Sequence, residues 1–215
     1  MSVDTANPNY PRLSIFIPTH DPNRPLDRIL KSIQNQPIGP DDEVLVGIDE
    51  FGLEAPDIMR IVKRVLEYGP QFRAITVLVN HSCWGHCVIN NLLVNCKKDY
   101  IVGNDDDDIF TKGAFDAIRA EIKKLPVPKP LMFKFQPYFG GRPLWQEKKL
   151  VEGRIGAHCL VTPNIPEKVG RFTCRYAGDF DWVRDTLTRW NMDVAWVDPV
   201  IAIGRPAPKD WWWMK

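Results

Sequence analysis

With 215 residues, 44% of them hydrophobic, the chain is long enough to bury a substantial core as one domain. Its 28 basic and 27 acidic side chains leave a net charge of +1, which excludes a global attraction to nucleic acid or anionic membrane and leaves only local patches. No apolar run approaches the roughly 20 residues that cross a bilayer, and the polar stretch from Met1 to Pro11 lacks a signal-peptide core. Five cysteines, an odd number without a repeated CxxC pair, read as reduced thiols, so the expectation is a soluble, cytoplasmic protein.

In chain order, residues 13 to 124 alternate strand and helix with short connections, the pattern of a doubly wound α/β layer. Leu13 to Ile17 is the first predicted strand, ended by Pro18. Leu26, Ile29, Leu30 and Ile33 then recur at helical spacing up to Pro37. Glu43 to Ile48 is the second strand, and a helix carrying Ile58, Ile61, Val62, Val65 and Leu66 on one face stops at Gly69-Pro70. Ala74 to Val79 is the third strand, and a third helix is predicted between about Trp84 and Cys96. After the strand that follows, Phe115, Ile118 and Ile122 mark a fourth helix, with Thr111 placed to cap it.

Beyond residue 125 prolines 126, 128, 130 and 137 and the Gly140-Gly141 turn break the alternation. Strands are predicted at Leu131 to Gln136 and Ile155 to Thr162. Phe180, Val183, Leu187 and Trp190 give a last helix from Asp179 to Trp190, and Val194 to Val197 is the final strand before a Pro/Trp-rich tail over 204–215.

The strand Tyr100-Ile101-Val102-Gly103 runs into Asn104 and four consecutive carboxylates, Asp105 to Asp108. Strand ends of an α/β sheet are where ligand crevices open. Alternation along an extended segment points Asp105 and Asp107 the same way, toward one hard cation with oxygen ligands. Four adjacent like charges repel, and a cation that in turn holds a diphosphate is the simplest compensation. The plain alternative is a solvated acidic turn.

The order of these pieces resembles the GT-A-fold glycosyltransferases of the inverting family 2 type. Leu13 to Thr19 is similar to the family's first strand, Gly85 to Asn91 to the segment that carries a Gly and an Asn before the metal motif, and Asp105-Asp106-Asp107 stands where the DxD signature belongs. The resemblance implies a Rossmann-like, mostly parallel central sheet flanked by helices. It also implies one domain with a nucleotide-sugar-binding half at 13–124 and an irregular acceptor-side half at 125–203. On that resemblance Thr19, His20, Asp49, His86, Asn90, Asp105 and Asp106 contact the donor, a UDP-sugar foremost. Asp105 and Asp107, with His158, hold Mn²⁺ or Mg²⁺. Asp179 in Gly178-Asp179-Phe180-Asp181 supplies the general base for transfer to an acceptor hydroxyl on a glycan, lipid, protein or, less readily, nucleic acid. The family commonly carries Glu-Asp at this point, and Gly178 replaces that Glu, which leaves Asp181 as a competitor.

The chemistry suits these residue types, since a metal stabilises a leaving diphosphate and a carboxylate removes the acceptor proton. A second reading groups His81, Cys83, His86 and Cys87 as zinc ligands, although all lie on one segment. Trp211 to Trp213 offer faces for an acceptor sugar or base, and Lys148, Lys149, Arg154, Arg171 and Arg175 make the second half locally basic. Competing functions are a nucleotidyltransferase on a related fold and a non-catalytic sugar-nucleotide or glycan-binding protein.

Overall fold

The computed structural model of the protein describes residues 10–79, 83–138 and 141–205. Trp211 to Trp213 and His81 lie outside them. In chain order the elements are β1 (Leu13–Thr19), α1 (Leu26–Gln34), β2 (Glu43–Asp49), α2 (Ala55–Leu66), β3 (Phe72–Val77), α3 (His86–Asn95), β4 (Tyr100–Gly103), β5 (Ile109–Phe110) and α4 (Ala114–Lys123). The second half adds β6 (Leu131–Gln136), β7 (Leu160–Pro163), α5 (Gly178–Arg189) and β8 (Ala195–Ile203).

All eight strands form one sheet in the order β3-β2-β1-β4-β7-β6-β8-β5. The first four are parallel, with Phe16 opposite Leu45 and Gly103 and Val46 opposite Ala74. Helices cover them, and β2 is accordingly buried along its whole length, the pattern of a parallel strand buried on both faces. From β4 onward antiparallel pairs enter, β4 with β7, β7 with β6 and β8 with β5, while β6 and β8 run parallel. The expected mostly parallel sheet flanked by helices is thus present in its first half and turns mixed in its second.

Three expectations change in detail. The segment from Ile155 to Thr162 is not one strand: Ala157–Cys159 form a 3₁₀ turn, closed by the Cys159 N–H donating to the Gly156 carbonyl at 3.0 Å, and β7 starts only at Leu160. The last strand is longer than Val194 to Val197 because a bulge lets it run through Pro199. Met132 pairs with Trp196 and Lys134 with Val200, so 197–199 stand opposite Phe133 alone, and a proline is tolerated where no ladder hydrogen bond is asked of it. Thr111 does not cap α4; its hydroxyl donates to the Val200 carbonyl at 2.7 Å, and Gly113 with φ of 78° begins the helix.

At the amino ends of the strands buried carboxylates pin the frame. Asp42 accepts from the Leu13 N–H at 2.8 Å, the Gly39 N–H at 2.6 Å and the guanidinium of Arg119, itself buried. Glu43 accepts from the Ser14 hydroxyl at 2.7 Å and the Lys97 N–H at 2.6 Å, joining β1, β2 and the approach to β4. These bonds hold three strands in register before any ligand is present. Removing one partner of a buried ion pair strands the other charge, so Asp42→Ala is expected to destabilise the fold by about 3–5 kcal/mol. Urea unfolding of the variant checks it, and a loss under 1 kcal/mol would mean that Arg119 finds water instead.

Candidate active site

The parallel strands β1, β2 and β4 end at Thr19, Asp49 and Gly103 on the same edge, because they are in register and run the same way. A cleft of about 1090 Å³ opens there, walled on its far side by Ile155 to His158 and by Tyr176 to Asp179.

The carboxylate run does not continue the strand. The Asp108 N–H donates to the Asp105 carbonyl at 3.3 Å, closing a β-turn that brings the first and fourth residues together in place of the first and third. Ligand atoms of Asp105, Asp108 and His158 therefore lie within 4.8 Å of one another. Asp107 turns toward two guanidinium groups, at 2.9 Å from Arg24 and 3.4 Å from Arg205. Asp106 is buried and accepts from the Thr19 hydroxyl at 2.7 Å.

Crowding sets the electrostatics. Asp105 opens onto the cleft, yet the enclosing walls and then Asp107, Asp106 and Asp179 push its pKa up to about 7. Burial raises Asp108 well above the carboxylate range, with Asp105 and Asp107 adding to it. His158 stacks on Phe135, ring centroids 3.5 Å apart, and burial drops its pKa to about 3, so the imidazole is neutral. Its Nε2 is buried without a hydrogen-bond partner. A neutral imidazole whose buried Nε2 is unpartnered, beside two carboxylates, is a donor set that could hold a divalent cation.

Asp179 lines the cleft from the first turn of α5. Its carboxylate accepts from the Phe180 N–H at 2.7 Å, and burial raises its pKa. Gly156 is the reason it can approach the metal-type cluster, for a Cβ there would lie 2.6 Å from Asp179 Oδ2 and 2.8 Å from His158 Nε2. Asp181 is placed differently. It does not line the cleft, and it accepts from Arg175 Nε at 2.5 Å, from Arg184 at 2.9 Å and from the Thr173 hydroxyl, which hold it down at about 2 with the Arg175 bonds dominant.

The donor-side residues divide in the same way. Thr19, His20, Asp49 and His86 line the cleft, and the buried Asp49 carboxylate accepts from the Phe51 N–H at 3.0 Å. His86 is buried and donates from Nδ1 to the Thr173 carbonyl at 2.8 Å. Asn90 does not line the cleft: its amide nitrogen donates to the Phe172 carbonyl and its oxygen accepts from the Phe172 N–H, so it ties α3 to the second half. Gly178, where a Glu was expected, has a packing cause, since a Cβ would lie 2.1 Å from the Thr173 carbonyl and 2.5 Å from His86 Nδ1. Arg24 and Arg205 were missed as cleft residues; the sole sequence signal was a cation in each flanking loop.

The thiol reading needs correcting. Cys83 and Cys174 are disulfide-bonded, 91 residues apart, while Cys87, Cys96 and Cys159 are free. The pair was not legible because its halves stand 91 residues apart along the chain. Zinc on Cys83, His86 and Cys87 is not assembled as the sequence suggested, because Cys83 is bonded to Cys174. Among the described residues no helix is long and apolar enough to cross a membrane.

No protein-family model matches the sequence, and no curated protein does. Solved structures match over nearly the whole chain. S. aureus TarS is similar with a TM-score of 0.73 and 17% identity, over 93% of this chain and 37% of that one. S. aureus TarS 1-349 in complex with UDP-GlcNAc gives a TM-score of 0.73 and 16% identity, over 91% and 58%. The mannosyltransferase PcManGT from Pyrobaculum calidifontis, in complex with GDP-Man and Mn2+, gives 0.63 and 15%, over 94% and 58%. The chain spans between 37% and 62% of the length of such solved chains. At these identities the likeness is one of fold, and the fold is that of the GT-A glycosyltransferases.

Raised carboxylate pKa values mean that the folded protein holds protons which the unfolded chain releases. Stability carried by Asp105 is complete below the ordinary carboxylate pKa of about 4 and is lost as pH rises through about 7, and Asp108, raised by burial, acts in the same direction. In chelator the melting temperature is therefore expected to fall between pH 5 and pH 8. Asp108→Asn should flatten that slope and melt a few degrees higher at pH 8. Thermal melts of both proteins across this range provide the check.

Proposed function

We propose that this chain is a metal-dependent glycosyltransferase that moves a sugar from a nucleotide-sugar donor, a UDP-sugar foremost, to an acceptor hydroxyl with inversion. One observation carries the reading: Asp105, Asp108 and His158 converge at the strand ends, and Asp179 faces them across the gap that Gly156 leaves open. The nucleotide sugars bound by two of the similar structures, with Mn2+ in one, support it.

Asp105 and His158, joined by Asp108 where the sequence had suggested Asp107, would hold Mn²⁺ or Mg²⁺, which supplies Lewis-acid stabilisation of charge on the departing diphosphate. Arg24 and Arg205, now paired with Asp107, are placed to exchange that carboxylate for phosphate oxygens. Asp49, at the end of β2, takes the nucleobase, with Thr19 and His20 beside it. Thr19 also fixes Asp106. Asp179 removes the acceptor proton. A base must be ionised yet basic, and a carboxylate raised by burial is a stronger base than Asp181, which three donors hold near 2.

A panel of sugar nucleotides incubated with and without Mn²⁺, followed by release of nucleoside diphosphate, tests the class. Metal-dependent release from one donor is expected, and Asp105→Asn or excess chelator should lower it by at least 10²-fold. Full turnover in chelator would remove the metal from the mechanism.

Asp179→Asn should reduce transfer by roughly 10²–10⁴-fold with donor affinity nearly unchanged, the usual worth of a general base. Asp181→Asn should retain transfer and lose stability instead, since Arg175 and Arg184 lose their common partner. NMR of the product reads the anomeric configuration. Retention, or a dead Asp181 variant beside an active Asp179 variant, would overturn the assignment.

A further inference from the structure

Three sulfurs meet at the rim of the cleft. Cys83 and Cys174 are bonded, the Cys87 Sγ lies 3.3 Å from the Cys174 Sγ, and all three fall within 4.8 Å of one another. Cys83 is buried, Cys87 half-buried and Cys174 exposed. Cys87 is the second residue of α3, a ten-residue helix, and its sulfur faces the bonded pair. Cys96 and Cys159 are buried elsewhere and take no part.

We propose that Cys83, Cys87 and Cys174 form a thiol–disulfide exchange site that also accepts a low-molecular-weight thiol from solution. Within the chain, the Cys87 thiolate attacks the Cys174 sulfur. The new bond is Cys87–Cys174, the bond broken is Cys83–Cys174, and the Cys83 thiolate leaves and takes a proton from water. The exchange is balanced without any outside oxidant. With an external monothiol, its thiolate attacks the exposed Cys174 sulfur, giving a mixed disulfide and a Cys83 thiolate. A second monothiol then releases Cys174 as a thiolate and leaves as the symmetrical disulfide.

Location gives the exchange a consequence. Cys83 is followed by Trp84 and Gly85, both left-handed with φ of 48° and 77°, and Cys174 by Arg175, the partner of Asp181. The bond therefore joins the lead into α3 to the lead into α5, next to Trp84 and Tyr176, which line the cleft and meet edge to face. Moving it to Cys87 frees Trp84 and Gly85 while leaving α3 linked to the lead into α5. Full reduction unlinks the sulfurs but keeps the His86–Thr173 and Asn90–Phe172 hydrogen bonds, so the reduced chain stays folded. A zinc site on the same three thiols is the weaker alternative, because two of them are already bonded to each other.

The test is disulfide mapping of the purified chain. Oxidised protein is alkylated at low pH and cut with chymotrypsin, whose cleavage after Trp84 separates Cys83 from Cys87. Cys83–Cys174 is expected as the main linkage with Cys87–Cys174 as the minor one, and a glutathione redox buffer should shift the ratio and then abolish both. Under native conditions about one thiol per chain should react fast with a disulfide reagent before reduction and about three after it. Cys83→Ser, incubated with glutathione disulfide as the oxidant, should form Cys87–Cys174 and release two equivalents of glutathione. Absence of any linkage to Cys174 in oxidised wild-type protein would overturn the proposal, as would Cys83→Ser leaving Cys87 and Cys174 both free. Stoichiometric zinc in the protein as isolated, protecting all three thiols from alkylation, would overturn it in favour of a metal site.

Discussion

The structure is organised around a repulsion. Asp105 to Asp108 are held on a single β-turn at the end of β4, where four carboxylates would separate if the chain were free to let them. The frame prevents this. Tyr100 to Gly103 lie between β1 and β7, and the turn is continued directly by β5, which is paired to β8. Partial compensation comes from Arg24 and Arg205 on Asp107, the Thr19 hydroxyl on Asp106 and the Arg205 N–H on Asp108. Burial first and the remaining repulsion second raise the pKa values of Asp105 and Asp108, and a cation or a cation-bound diphosphate would relieve both.

A second constraint is that the carboxylate cluster and Asp179 belong to different halves of the chain and must face one another. Strand pairing of β4 with β7 and β5 with β8 joins the halves, and an aromatic cluster adds to it: Phe172 lies parallel to Trp182 with centroids 4.9 Å apart, and the edge of Phe16 from β1 meets both. Asn90 and His86 then bind the backbone of Phe172 and Thr173 to α3, and Asp181 anchors Thr173, Arg175 and Arg184 at the start of α5. Asp179 and Asp181 are thus two residues apart but do different things, one opening on the cleft and the other fastening the wall that carries it. Gly156 and Gly178 supply the close approaches that the arrangement needs.

How much of this was legible depended on whether the information was periodic. In the first half α1, α2, α4 and the parallel strands announced themselves through spacing, because they are shaped by burial against a sheet, whereas the two-residue β5 carried no such signal. The Asp cluster was legible as a cluster, and its position after a strand gave the crevice. Its internal geometry was not, because alternation holds for extended chain and the segment instead turns, exchanging Asp107 for Asp108 beside His158. In the second half the signals misled for identifiable reasons. Pro199 hid the continuation of β8 because nothing local announces a bulge, and the 3₁₀ turn at Ala157–Cys159 has the apolar composition of a strand.

The sequence by itself determined the alternating α/β frame, the strand ends at which Thr19, Asp49 and Asp105 emerge, and the chemistry of the donor set. Those are consequences of local burial pattern and residue type, which chain order carries. Only the tertiary structure decided which carboxylate is free to act and which is tied, that Asn90 is a strut, and that Cys83 and Cys174 are partners across 91 residues. Each of these depends on groups brought together from distant segments. A side chain's role there is set by how many partners reach it and how much water is excluded, and neither quantity is written in its neighbours along the chain.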